Sequence, residues 1–399
     1  METGAGTRTA ERPYDVVLFG ATGFVGELTA EYLAAHAPAD CRWALAGRSR
    51  DRLAALRDRL ADRWPHCAGL PLLVADSEDP ASLRTLARSA RVVASTVGPY
   101  IRYGDELVAA CARAGTDYLD LTGEPEFVDR VYVRHDALAR ETGARLVHAC
   151  GFDSVPHDLG VYFTVRQLPE GVPLRVDGFV RAGALFSGGT FASALSAFGR
   201  GREMLDAARE RRLHEPRSVN RRARAPLGGP RFSKETGTWA LPLPTLDPQV
   251  VVRSARALDR YGPDFRYRHY ASLKTLPVAL GGSAAVGTGI LAAQLPAVRA
   301  WLTKCYASGK GPSAARRARS WFSVRFVGEG GGRRVFTEVS GGDPGYDETA
   351  KMLAESALSL AFDPLPATAG QVTTAVAMGD ALLGRLRAAG LRFRVAHSG

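Results

Sequence analysis

Chemistry is most legible where a short apolar run, Asp15–Phe19, feeds directly into Gly20-Ala21-Thr22-Gly23-Phe24-Val25-Gly26. A Gly-x-x-Gly-x-x-Gly loop between a strand and a helix offers unpaired backbone N–H groups and the positive end of the helix to a pyrophosphate. Gly20 permits the tight turn, Gly23 lets the backbone approach the phosphates, and Gly26 allows the helix to pack closely on the sheet. The spacing predicts a dinucleotide site built from Gly20, Thr22, Gly23, Phe24, Val25 and Gly26. The second apolar run, Trp43–Ala46, ends in Gly47-Arg48-Ser49-Arg50. An NAD-selective site carries a carboxylate at this tip for the ribose 2′-hydroxyl. Here Arg48 can neutralise a 2′-phosphate and Ser49 can hydrogen-bond to it. The expected cofactor is therefore NADP(H); the plainer alternative makes Arg48 an ordinary solvated loop residue.

Later strands carry further candidates. Asp76, after the third apolar run, either borders the adenine or caps the next helix. Val97-Gly98-Pro99 follows the fourth run, where the glycine lets the backbone pass close to the cofactor and the proline stiffens the exit. Tyr100 sits at the same end, as a proton donor or as an aromatic wall against the nicotinamide. Beyond the last run of this half, Gly151-Phe152-Asp153-Ser154-Val155-Pro156-His157-Asp158 brings Asp153 and His157 towards a domain cleft. A histidine–carboxylate pair there can relay a proton. The alternative is that Asp153 and Ser154 cap a helix with Pro156 in its first turn. The five cysteines are scattered with no C-x-x-C pair, which argues against a zinc ribbon or a redox dithiol, and no metal is expected.

These side chains need a scaffold, and the rhythm of the chain supplies one. Over the first 150 or so residues, short apolar runs alternate with amphipathic stretches, the pattern of βαβ units and a parallel sheet. The expected fold is α/β: residues 1–12 a flexible tail, 13–155 a Rossmann domain with a doubly wound parallel sheet, 156–345 an inserted α/β substrate domain containing an antiparallel sheet, and 346–399 C-terminal helices returning to the first domain. In the insert, Val176–Ala182, Val250–Ala255 and Trp321–Val327 are expected strands. The last turns at Gly328–Gly332 into Arg333–Val339 as a hairpin.

Composition narrows the function classes. A net charge of +11, almost all of it arginine, favours anionic partners: cofactor phosphates, an acidic carrier protein or a lipid surface. Nucleic acid is not expected, because the arginine-rich stretch 200–224 is broken by Glu203, Asp206, Glu210 and Glu215 and lacks interleaved aromatics. The first twelve residues hold no apolar run, so no secretory signal is expected there, and the scattered cysteines suit a reducing cytoplasm.

Gly20–Gly26, Ala46-Gly47-Arg48-Ser49, Val97-Gly98-Pro99-Tyr100 and Gly151–Pro156 together resemble the saccharopine dehydrogenase-like oxidoreductases. Gly188-Gly189-Thr190, Arg317–Phe322, Asp343-Pro344-Gly345-Tyr346 with Thr349–Met352, and Ala377–Leu382 are similar to its trans-acting enoyl reductase branch, and the likeness runs from about Tyr14 to Leu391. The resemblance implies NADPH-dependent reduction of a C=C bond on a polyketide or lipid acyl intermediate, a hydrophobic or acyl substrate brought by an acyl carrier protein or polyketide synthase. Enolate charge would then need stabilising and the α carbon protonating, by Tyr100 or by Asp153 with His157. A reductase of C=N or C=O bonds on the same fold, or an NADPH-bound scaffold without turnover at a lipid surface, are the alternatives.

Three patterns stand apart. Tyr270–Lys274 and Tyr306–Lys310 both match Tyr-x-x-x-Lys, but far beyond the nucleotide-binding half, so coincidence is expected, with Tyr270 a reserve acid. Between 275 and 298 no residue is charged. Its glycines and flanking prolines argue for a buried or surface apolar segment near the substrate entrance, peripheral to a membrane at most, over a spanning helix.

Overall fold

The computed structural model describes residues 12–183, 200–216, 221–275 and 311–398. Two sheets organise them. The first joins β1 (Tyr14–Phe19), β2 (Trp43–Gly47), β3 (Leu72–Val74), β4 (Ala90–Ser95), β5 (Asp117–Asp120) and β6 (Arg145–Val147) in the order β6-β5-β4-β1-β2-β3, every pair parallel. β1 and β2 are buried on both faces because helices cover both, which is why they read as unbroken apolar runs. The crossovers are α1 (Phe24–His36), α2 (Arg50–Arg63), α3 (Pro80–Ser89), α4 (Asp105–Ala114) and α5 (Pro125–Thr142). The strand order reverses between β1 and β4, and in such sheets ligands bind at the carboxyl ends beside that point.

The chain then enters α6 (Val155–Val165) and a second, mixed sheet. Its strands are β7 (Leu174–Ala182), β8 (Arg222–Arg224), β9 (Arg231–Ser233), β10 (Thr238–Pro242), β11 (Asp264–Leu273), β12 (Phe322–Gly330) and β13 (Arg333–Gly341). β12 and β13 form the expected hairpin, closed by Gly331 and Gly332, both at positive φ. The sheet is not purely antiparallel: β7 and β8 run parallel to β11. Helices α7 (Gly201–His214) and α8 (Asp247–Ala257) belong to this half. The stretch Val250–Ala255, expected as a strand, lies inside α8. Its β-branched run favours a strand locally, but Val250, Val251, Ser254 and Ala255 fall on one buried helical face, and packing overrides propensity.

The C-terminal part serves both sheets. α9 (Asp347–Phe362) packs beside α1 and across β4 and β5. β14 (Gly370–Val372) extends the first sheet beside β6. After α10 (Gly379–Ala388), β15 (Arg392–Ser398) pairs antiparallel with β13 in the second. Expecting only helices returning to the first domain missed these two strands. No helix among the described residues is long and apolar enough to cross a membrane. The uncharged segment lies outside the described residues except for Thr275, as do Gly188–Thr190 and Tyr306–Lys310.

Candidate active site

The glycine loop follows β1, and its conformation leaves no room for side chains. Gly20 has φ +86°, and a Cβ there would stand 2.7 Å from both Thr96 Oγ1 and Val97. A Cβ on Gly26 would stand 2.2 Å from the Gly20 carbonyl oxygen. The absence of a Cβ at both positions lets the loop lie close against the start of α1 and the segment after β4. Gly23 caps α1 and, having no side chain, leaves the first N–H groups of the helix without a side-chain cap. Arg52 donates to the Thr22 carbonyl at 2.9 Å and ties the loop to α2. The Phe24 ring turns away from the loop, edge-on to Tyr346 at 5.0 Å and under the Arg317 guanidinium at 5.4 Å.

At the tip of β2, Arg48 is exposed and makes no ion pair among the described residues. Ser49 is the N-cap of α2, accepting from the Arg52 N–H. Asp76 accepts from the Glu78 N–H, while the cap of α3 is Asp79, so the capping alternative for Asp76 does not hold. Gly98 and Pro99 are exposed beside Val97 at the carboxyl edge of the sheet.

Tyr100 faces inward. Its hydroxyl donates to the Ser95 carbonyl at 3.0 Å and accepts from the Leu121 N–H at 3.2 Å, while Glu124 receives the Tyr100 and Ile101 N–H groups. Burial pushes the phenol well above its ordinary pKa, with the Asp120 charge adding to it. As placed, Tyr100 braces β4 against β5 and presents no proton to a cleft.

Asp153 and His157 occupy the turn after β6 and the first turn of α6. Ser154 is the N-cap by position, yet its hydroxyl is 3.5 Å from Asp247, so neither Asp153 nor Ser154 caps the helix with its side chain. Asp153 is half-buried, keeping some solvent contact although protein surrounds most of the carboxyl. That burial, helped by the charge of Asp247 and opposed by His157, raises its pKa to about 7. The carboxylate beside His157 is Asp247, at the start of α8: His157 Nδ1 lies 3.0 Å from Asp247 Oδ1, off the line a hydrogen bond needs. On β11, His269 Nε2 is 3.5 Å from Asp247 Oδ2. Burial pushes His269 down to about 3. Burial also opposes the charge on Asp247, but His157, His269 and Thr245 outweigh it and hold that carboxyl below its usual value. Sequence reasoning missed Asp247 and His269 because they lie some 90 and 110 residues beyond His157. The only signal was alternation along β11, which turns Phe265, Tyr267 and His269 to one buried face.

Residues 16–147 match the family model for the saccharopine dehydrogenase NADP-binding domain. A putative trans-acting enoyl reductase of Mycobacterium tuberculosis is 41% identical, covering 95% of this chain and 97% of that protein. The chain belongs to the saccharopine dehydrogenase-like family, in its trans-acting enoyl reductase branch. A trans-acting enoyl reductase of Mycobacterium ulcerans is 38% identical over 96% of this chain and 98% of its own length. Apo saccharopine dehydrogenase of Saccharomyces cerevisiae shares the fold, with a TM-score of 0.55 at 11% identity, covering 96% of this chain and all of that one.

Family membership makes this an NADP-dependent oxidoreductase, and the cradle fits the cofactor: the space a Cβ would fill at Gly20 and Gly26 is closed, and the α1 N-terminus is open. Of the expected contacts, the loop from Gly20 to Gly26 and Val97–Pro99 come together at one edge. The Phe24 side chain is engaged with Tyr346 and Arg317 instead. Tyr270, the reserve acid, lies fully buried on β11, stacked on Phe179 at 5.5 Å.

Proposed function

We propose that the protein reduces the C=C bond of an α,β-unsaturated acyl group carried by a separate acyl carrier protein or polyketide synthase. The observation that carries this reading is the near-full-length likeness to trans-acting enoyl reductases. When bound, NADPH supplies the hydride for the β carbon. Arg48 and Ser49 are the groups that would meet its 2′-phosphate, and the loop from Gly20 to Gly26 its pyrophosphate.

The remaining step is protonation of the α carbon. Among the three expected acids, Asp153 fits best: it keeps solvent contact, and its pKa raised to about 7 leaves a substantial share of it protonated at neutral pH. His157 lies behind it, buried with Asp247, and Tyr100 is tied into the sheet. The apolar surface that would receive the acyl chain, and any lipid contact, is assigned to the uncharged segment by its composition alone.

The test follows NADPH oxidation over enoyl thioesters on pantetheine and on carrier protein, with ketones and imines beside them. The reading predicts turnover on the thioesters, with deuterium from deuterated NADPH appearing at the β carbon. Turnover confined to imines or ketones would overturn it in favour of C=N or C=O reduction; binding of NADPH without any turnover would favour the scaffold.

A further inference from the structure

The cluster behind Asp153 has a chemistry of its own. His157, Asp247 and His269 are 2%, 4% and 4% exposed, and their ligand atoms all lie within 4.8 Å of one another. Both ring nitrogens of His157 are buried without a hydrogen-bond partner. An imidazole left so in a protein interior loses the water hydrogen bonds it had outside and recovers only the charge contact with Asp247. Among the described residues, the Asp247 carboxylate makes ion pairs only with the two histidines.

Each of the other two groups is already oriented from behind. Tyr267 Oη lies 2.8 Å from His269 Nδ1, which leaves Nε2 pointing at Asp247. The hydroxyls of Thr245 and Ser154 donate to the Asp247 carboxylate. Outer partners on the far nitrogen of a histidine and on a carboxylate are how proteins fix metal ligands. We propose that His157, Asp247 and His269 form a binding site for one zinc-type divalent cation.

The spacing supports the choice of ion. Bonds of about 2.0–2.1 Å in a tetrahedron put ligand atoms roughly 3.3 Å apart. His157 Nδ1 stands 3.0 Å from Asp247 Oδ1 and His269 Nε2 stands 3.5 Å from Asp247 Oδ2, each near that value although the two rings meet different oxygens of the carboxylate. With one ligand atom taken from each residue, every separation is at most 4.8 Å, so each closes to the tetrahedral value with a change of about 1.5 Å or less. Two imidazoles and one carboxylate suit zinc or a neighbouring transition ion and not magnesium or calcium, which take oxygen ligands. Three protein donors leave a fourth position for water. The ligands come from α6, α8 and β11, so the ion would clip the turn after the first sheet to the second sheet. The proposal does not depend on which bond the enzyme reduces.

Untagged full-length protein is stripped with dipicolinate and titrated with Zn²⁺ against a competing chelator, with Co²⁺ as an optical probe. The expected result is one ion per chain, a tetrahedral Co²⁺ absorption band, and affinity reduced at least 100-fold in His157→Ala and in His269→Ala. Tyr267→Phe keeps all three ligands and should weaken binding about 10-fold, the effect of removing an outer partner. It keeps the proposal falsifiable if a histidine variant fails to fold. No binding by the wild type, an octahedral Co²⁺ spectrum, or equal Zn²⁺ affinity in the wild type and in any folded histidine variant would overturn it.

Discussion

At the residue scale, two side chains carry separable jobs. Arg48 is exposed at the tip of β2 and is the available cation for a 2′-phosphate. Arg48→Ala should lose about 1–3 kcal/mol of NADPH binding and almost none of NADH binding, the scale of a charge-assisted hydrogen bond. Calorimetric titration with both cofactors checks this, and equal losses would remove Arg48 from phosphate recognition. Asp153 acts as an acid only while protonated. With its pKa near 7, turnover in ion-stripped protein should stay level below that pH and fall about tenfold per unit above it. Asp153→Asn should lower kcat by about 10²–10⁴ and leave NADPH affinity nearly unchanged. The raised value has a stability counterpart. The native carboxyl binds its proton more tightly than the unfolded one, so this contribution is full below the ordinary carboxylate pKa and is lost as pH rises towards 7. Denaturation of the Asn variant at pH 4 and pH 7 should lack that component.

At the element scale, Tyr100 belongs to the framework. Its hydroxyl joins the Ser95 carbonyl at the end of β4 to the Leu121 N–H just past β5. Tyr100→Phe should cost about 1 kcal/mol of stability by urea denaturation, leaving one buried N–H unpaired, with kcat within a few-fold of wild type. A 100-fold loss of turnover with unchanged stability would return it to the acid role. The contrast shows what the sequence could convey. Strand, glycine loop and helix are neighbours along the chain, so periodicity and turn chemistry locate the cofactor cradle. The Tyr100 side chain points where β5 lets it point, and the His157 partner waits on α8; such contacts form between distant segments, and no local pattern announces them. The same holds for Val250–Ala255, whose β-branched residues favour a strand until α6 and β11 pack against them as a helix. β15 was missed because its alternation, Arg392-Phe393-Arg394-Val395, lasts only four residues at an edge strand.

At the scale of the whole molecule, the two sheets are joined by buried charge as well as apolar packing. Asp129 on α5 pairs with Arg211 on α7 at 3.4 Å and with Arg253 on α8; Arg211 reaches on to Gln371 on β14 at 2.6 Å and to Glu215 at 2.6 Å. Burial, with the nearby Arg211 charge, pulls Arg253 down to about 10 against the opposing pull of Asp129 and Glu215, and it stays charged at neutral pH. Asp129→Ala leaves two guanidinium groups short of a partner and should cost about 3 kcal/mol. Glu215 titrates in this network: burial opposes its charge, but Arg211, Arg253 and Arg256 outweigh burial and hold its pKa below the usual value. A depressed carboxyl contributes its stability above the unfolded pKa and loses it as pH falls through the folded one. Acid should therefore loosen the union of the two sheets as it protonates Glu215. Denaturant midpoints measured from pH 6 down to pH 3 should fall less steeply for Glu215→Gln than for wild type. Parallel curves would show that Glu215 takes no part in holding the halves together, and would leave that work to Asp129 and the apolar contacts.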